Sequence, residues 1–407
     1  MSLLYSDTER RLADVLADLL SQRCQPSDIL AGRVGPGLWR AVGAEIGCAG
    51  LLIPESLGGA DGSFREVAVA AEQLGAFVAP VPFVGSAVVA TSTLINVDDD
   101  DDLIKRLADG SATAALAVPF VMAPGGAFPA GLRLSGLRPG DAENGVTRLT
   151  GTVSGVADVL IGAPDIDGSA AAAEAASAAE AASAGAGVAG SGDGRVVDVL
   201  LVPAEGVPRG LYVVDTSAPG VTVTPLTSLD MTRQLVDISF DGAPARMIAS
   251  GLAAETAIEA GLSAGAVALA AEQLGLAQRC LDMTVAYVKE RYQFGRPVGS
   301  FQAVKHRLAD LWVAVTQARA ASRYAADCLA SGNPDADVAV ALAKSSCSET
   351  AVLAAQECVQ LHGGIGFTWE HPAHLYLKRA KATSLAFGTP AAHRARLAEL
   401  VDLPAPE

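Results

Sequence analysis

Arg291-Tyr-Gln-Phe-Gly-Arg-Pro-Val-Gly-Ser-Phe-Gln302 joins two long helical patterns, and Gln360-Leu-His-Gly-Gly-Ile-Gly-Phe-Thr368 closes a third. Helical packing alone demands neither stretch. Three glycines in the second run expose backbone N–H groups suited to a phosphate at a helix end. Arg291 offers a planar fork matched to phosphate oxygens, and Phe294 a ring on which a base can stack. The residues themselves leave two readings open: a ligand site, or a polar interhelical loop followed by a Gly-rich turn. Ahead of the first stretch, Leu262, Val267, Leu269, Leu274, Leu276, Leu281, Val285 and Val288 recur as one long amphipathic helix. Val304, Leu308, Leu311, Trp312 and Val315 mark a second helix, and Val352, Leu353 and Val359 belong to a third. Long helices with short connections argue a bundle.

Upstream, the character changes. From about Ala114 to Ile248 the segments are short, rich in Val, Leu and Thr, and punctuated by Gly, Pro and Asp. Val197–Val202, Gly220–Thr224 and Val236–Phe240 read as antiparallel strands. Residues 168–194 are almost wholly Ala, Gly, Ser and a few acids, with too little apolar bulk to pack, and read as a disordered excursion between two strands. The first third is helical again. Ser6 to Glu9 and Ser63 to Glu66 are capping boxes, and Leu12, Val15, Leu16, Leu19 and Leu20 form an apolar stripe.

Composition narrows the partners. The 407 residues carry 29 Lys and Arg against 45 Asp and Glu, a formal charge of −16, which argues against nucleic acid as a ligand. Six cysteines without a C-x-x-C pair read as buried, reduced thiols of a cytoplasmic protein. From Gln73 to Val97 no residue is charged, but Pro80, Pro82, Gly85 and several hydroxyl residues interrupt the run. It reads as a loop and a buried helix, not a membrane span. No G-x-G-x-x-G follows a strand and no G-x-x-x-x-G-K occurs, so dinucleotide and P-loop folds are disfavoured. His362, His371 and His374 lack an acidic cluster at ligand spacing, and no metal is expected.

The order of regions and both motifs resemble the acyl-CoA dehydrogenases, which are flavoenzymes, over essentially the whole chain. Leu52-Ile-Pro-Glu-Ser-Leu-Gly-Gly59 is similar to that family's N-terminal turn, and Leu229-Asp-Met-Thr-Arg233 to the end of its β domain. The resemblance implies an α+β multidomain fold. A helical domain spans 1–113, a middle antiparallel β domain 114–247 with the insertion at about 168–194, and a C-terminal four-helix bundle 248–407. It implies FAD as cofactor, an acyl-CoA thioester as substrate and an electron-acceptor flavoprotein as redox partner. By the same resemblance, Arg291, Gln293, Phe294, Gln302, Gln360, Gly363 and Gly364 reach the ADP half of a flavin held mainly by a neighbouring chain.

Two departures qualify the resemblance. In that family a glutamate removes the substrate's α-proton, and in most members it precedes Gly-Thr in a C-terminal loop. Here the loop reads Leu385-Ala-Phe-Gly-Thr389, with Phe387 at the base position. Other members carry the base on the long helix before the Arg motif, and that position is Gly265. The family's flavin-facing Thr-Glu-Pro and Gly-Ser-Asp are replaced by Ala115-Leu-Ala-Val-Pro-Phe120 and Met122-Ala-Pro-Gly-Gly126, and no tryptophan lies in the β region. This asymmetry resembles bacterial two-gene α2β2 dehydrogenases, as in actinobacterial cholesterol side-chain breakdown. In these, one subunit supplies the base and most of the flavin site. The run Trp369-Glu-His-Pro-Ala-His-Leu-Tyr-Leu-Lys-Arg379 resembles the same branch. The resemblance therefore implies a base-lacking subunit with no catalytic residue of its own, acting on a steroid or other bulky acyl-CoA. Two alternatives stand beside it: a homomeric enzyme with Glu272 as a displaced base, and a non-catalytic scaffold. Glu349 and Glu370 are further acids, and Lys378, Arg379 and Lys381 read as a solvated helix face.

Overall fold

Both capping boxes form. The computed structural model describes residues 3–97, 101–126, 128–129, 132–135, 147–161, 195–206 and 209–403. Ser6 Oγ accepts from Glu9 N–H at 3.2 Å to start helix α1 (Asp7–Arg23), and Ser63 N–H donates to Glu66 at 2.9 Å to start α2 (Phe64–Ala76). The uncharged run after α2 is a loop leading into the buried helical segment Phe83–Leu94. A short helix α3 (Asp101–Ala108) ends this region.

The middle of the chain forms β1 (Ala114–Leu116), β2 (Leu132–Ser135), β3 (Thr147–Ala157), β4 (Leu160–Ile161), β5 (Arg195–Val196), β6 (Val199–Ala204), β7 (Gly210–Asp215), β8 (Val221–Pro225) and β9 (Leu235–Ser250). Seven of them make one sheet in the order β1-β6-β7-β9-β3-β2, with β8 also on β9. Strand β9 is its spine; Val236, Ile238 and Phe240 point into the core while their neighbours are partly exposed, the period-two pattern of a half-buried strand. One expectation is corrected. The sheet is not wholly antiparallel, because β1 pairs with β6 in parallel, Ala114 opposite Val199. The long connection between them is the condition a parallel pair requires. Strands β4 and β5 pair antiparallel, Ile161 opposite Arg195; residues 168–194 lie outside the described residues.

The rest of the chain is helical: α4 (Leu252–Glu290), α5 (Gln302–Ser331), α6 (Ala336–His362), α7 (Ala373–Leu385) and α8 (Pro390–Leu400). Helices α4 and α6 run parallel, as shown by Ser348 Oγ donating to Gln273 Oε1 at 3.0 Å and by the Tyr287–His362 stack at 4.4 Å. Both α4 and the stretch Ala336–Phe367 are long and apolar enough to cross a membrane, but 61% and 67% of their most apolar windows are buried within the protein. They are the central helices of the bundle. Small side chains let these helices pack closely, and helices α2 and α4 meet through glycines. A Cβ on Gly75 would stand 1.9 Å from Glu272 O, and one on Gly275 1.8 Å from Glu72 O, so neither position accepts a side chain without moving a helix.

Candidate functional site

Phe387 and Gly265, the two expected positions of a catalytic base, converge. Phe387 sits in the α7–α8 connection with φ of 48°, its N–H donating to Phe120 O at 2.8 Å. Its carbonyl accepts from His393 Nε2 at 2.7 Å. The ring stands edge-on to Phe120, centroids 5.4 Å apart, and is 4% exposed. A Cβ built on Gly265 would meet Phe387 Cζ at 2.9 Å and Val89 Cγ2 at 2.7 Å. A glycine therefore faces a phenyl ring, with no carboxylate at either position. Beneath the loop, the wholly buried Lys344 donates from Nζ to Ser348 Oγ at 2.8 Å and to Thr383 O and Gly388 O at 3.3 Å each. Burial pushes its ammonium down to about 7.

Glu272 is also buried, but it is committed elsewhere. Arg233 grips it with two hydrogen bonds, Nη1 to Oε1 at 3.1 Å and Nη2 to Oε2 at 2.8 Å, and Arg379 Nη1 adds a third at 2.9 Å. Arg233 Nε also pairs with Asp158 at 3.0 Å, and Arg379 Nε with Asp230 at 2.7 Å. Asp158 in turn accepts the Gly85 N–H at 2.9 Å. Burial raises the Glu272 carboxyl, but the two guanidiniums overcome that and hold it at about 2. So weak a base, with both oxygens occupied, is poorly suited to abstracting an α-proton. This geometry counts against Glu272 as a displaced base. Glu349 and Glu370 are exposed, and Glu349 pairs with Arg394.

The network also corrects the reading of Arg379, which is 1% exposed and not part of a solvated face. The signal was present in the spacing. Leu375, Tyr376, Ala380 and Thr383 form the buried stripe of α7, and Arg379 falls on it. Asp158, Asp230 and Arg233 are ionic partners that the sequence reading does not single out. Their charges come together only when the sheet docks on α4 and α7.

The seven expected cofactor residues share one end of the bundle, and all are exposed. Tyr292–Gln293 pairs with Arg296–Pro297 as a short hairpin. Phe294 and Gly295 form its turn with φ of 53° and 75°, the positive values that a tight hairpin turn requires. Phe294 is 92% exposed at the tip. Among the described residues, the Arg291 side chain has no ion pair or hydrogen bond. Gln293 bonds the carbonyl of Tyr292, and Gln302 opens α5. Gln360 lies in the last turn of α6, where Gly363 caps the helix and donates its N–H to Gln360 O. The Tyr287–His362 stack joins the two motifs, since Arg291 lies one turn beyond Tyr287 and Gly363 follows His362. The glycines follow the C-terminal end of α6, so the helix dipole does not favour an anion there, contrary to the helix-end reading. What can meet a diphosphate at this end is the free Arg291 fork, with backbone N–H groups beside it.

Residues 254–401 match the model "Acyl-CoA dehydrogenase, C-terminal domain", and residues 6–99 match "Acyl-CoA dehydrogenase, N-terminal domain". Acyl-CoA dehydrogenase IpdE2 of Mycolicibacterium smegmatis is 31% identical over 397 residues, covering 96% of this chain and 98% of that protein. Among solved structures, a variant of the Tcur3481-Tcur3483 steroid ACAD is 28% identical with a TM-score of 0.74, covering 97% of this chain and 98% of that one. The ChsE4-ChsE5 complex from Mycobacterium tuberculosis is 26% identical with a TM-score of 0.76, and the match covers 100% of both chains.

Proposed function

The chain belongs to the acyl-CoA dehydrogenase family of FAD-dependent oxidoreductases, and from that premise we propose that it is the base-lacking subunit of an α2β2 enzyme. One observation carries the proposal: Gly265 and Phe387 face each other where a base is needed, and a ring fills the space. FAD, when bound, supplies the acceptor for hydride leaving the substrate's β-carbon. The chain's own flavin-facing side does not suit it, since Phe120 and Phe387 pack together there and Arg233 stacks on Phe120 at 5.6 Å. The other end of the bundle does suit part of it. There Arg291 would hold the diphosphate of a neighbour's flavin, Phe294 would lie against its adenine, and Gln293, Gln302, Gln360, Gly363 and Gly364 would line the approach. Phe367 and Trp369, 78% and 64% exposed, sit beside these residues and would be covered by the partner.

In this reading the partner supplies the catalytic glutamate and most of the flavin site. The substrate is the CoA thioester of a steroid or another bulky acyl chain, supported by the similarity to the Tcur3481-Tcur3483 steroid ACAD and to the ChsE4-ChsE5 complex. An electron-transferring flavoprotein would reoxidise the enzyme. Six free, buried cysteines favour a cytoplasmic setting.

The test is co-purification with a homologous subunit that carries the glutamate. The complex should dehydrogenate acyl-CoA, the chain alone should not, and replacing the partner's glutamate by glutamine should abolish turnover. Activity that survives this replacement would place the base on the present chain. A complex that forms without flavin would favour a scaffold.

A further inference from the structure

The hairpin that carries Arg291, Gln293 and Phe294 stands outside the core. Residues Arg291 to Arg296 are all exposed, and only Tyr292 with Pro297 and Gln293 with Arg296 pair across it. A ribbon of that length is not stable by itself. Its turn adds a cost, because Phe294 and Gly295 both have positive φ, at 53° and 75°. Asn-Gly makes such a turn readily, whereas a bulky residue with positive φ persists only where its surroundings hold it.

Phe301 supplies the hold. The Arg296 guanidinium lies over its ring, 3.9 Å from the centroid, and the Phe294 ring meets it edge-on at 6.3 Å and 86°. Both geometries are attractive, one as a cation over a ring face and the other as a T-shaped aromatic pair. The backbone of Phe301 is fixed independently of the hairpin tip. As the residue that precedes α5, its carbonyl accepts from the Val304 and Lys305 N–H groups at 3.1 Å each, and its own N–H donates to Val298 O at 3.2 Å. The short turn Val298–Ser300 rests on α4, since a Cβ on Gly299 would stand 3.0 Å from both Val288 Cγ2 and Val288 O. Val298 N–H closes the base of the hairpin by donating to Arg291 O at 2.7 Å. The Phe301 ring therefore ties an exposed tip to the ends of two long helices.

We propose that Phe301 is a positioning residue for the neighbour's flavin, acting through Phe294 and Arg296 and not on the cofactor itself. It holds one by the edge of its ring and the other by the face, and so presents the hairpin as a preformed surface. The entropy of ordering the tip is then lost on folding and not on binding. This inference rests on the proposed use of this end of the bundle, and it assigns a role to a ring outside the seven expected cofactor residues. Phe301 directly precedes Gln302, so the residue that steadies the tip also sets the start of the helix that Gln302 opens.

The readout is flavin affinity of the complex with a glutamate-bearing partner, followed by the fluorescence of released flavin on dilution. Phe301→Leu should weaken retention about three- to tenfold, and Phe301→Tyr, which keeps the ring, should hold flavin as the wild type does. In a Phe294→Leu, Arg296→Ala background, Phe301→Leu should have little further effect, because the groups it positions are gone. Wild-type retention in Phe301→Leu, or an equal loss in that background, would overturn the proposal. Arg291→Ala separates the two claims. Flavin loss there with wild-type retention in Phe301→Leu overturns the positioning role alone, whereas unchanged retention in both overturns the use of this end as well. The unpartnered wild-type chain gives a second measurement, which stands even if the leucine variant does not fold. Exchange of the Val298 amide should already be slowed at least about tenfold against an unstructured loop. Exchange at the unstructured rate until the partner is added would contradict a preformed hairpin.

Discussion

A Cβ added to Gly265 would stand 2.9 Å from Cζ of Phe387, so the two positions that carry a base elsewhere in the family look into one space here. A phenyl ring fills that space. With Phe387 turned inward and Val89 beside it, position 265 has room only for glycine.

This pairing is measurable as coupling. Gly265→Ala should destabilise the chain by about 1–3 kcal/mol, the usual cost of overpacking. Phe387→Ala should cost about 3 kcal/mol through the cavity left against Phe120. In the double variant the added methyl enters that cavity, so denaturant unfolding should show a loss clearly smaller than the sum. Strict additivity would mean that the two residues do not share the space.

Glu272 gives a pH signature. Its folded value of about 2 lies below that of a free carboxyl. Its contribution to stability is therefore full above about pH 4.3, the unfolded value, and is lost as pH falls through the folded one. Glu272→Gln should cost about 3 kcal/mol at neutral pH, because Arg233 and Arg379 lose a buried charge partner. The difference from wild type should shrink between about pH 4 and pH 2 in equilibrium unfolding. If Glu272 were the base, this variant would instead lose turnover with little change in stability.

Lys344 gives a slope of the same sign in a higher pH window. Its folded value of about 7 is below that of a free lysine, so between pH 7 and about 10.4 the unfolded chain holds a proton that the folded chain does not. Wild-type stability should rise across that window relative to Lys344→Met, and the difference should be flat below pH 7. A flat difference throughout would mean that Lys344 stays charged under the loop.

Arg291→Ala tests the cofactor end of the bundle. Losing one charge-assisted contact costs about 1.5–3 kcal/mol, so flavin release from the partnered complex should become about tenfold easier or more. Subunit association, followed by size-exclusion chromatography, should be retained. Unchanged flavin retention would remove Arg291 from the cofactor site.

Much of this was legible in the sequence because local chemistry carried it. Capping boxes at Ser6 and Ser63, the period-two pattern of Val236, Ile238 and Phe240, and the long apolar stripes of the C-terminal helices act within a few residues. Motif positions likewise pointed to Gly265 and Phe387, which the structure brings face to face. The buried ionic network was not legible. Asp158, Asp230, Arg233, Glu272 and Arg379 are far apart in the chain and meet only where sheet and bundle dock, so charge at each position reads as surface until the partners are known. The parallel β1–β6 pair was missed for the same reason, since pairing across a long connection leaves no local signal.

The most direct test of the central claim is flavin content per subunit. The chain purified alone should be colourless, and the complex with a glutamate-bearing partner should hold one FAD for every two subunits. One FAD per chain in the isolated protein, with acyl-CoA oxidation, would contradict the account.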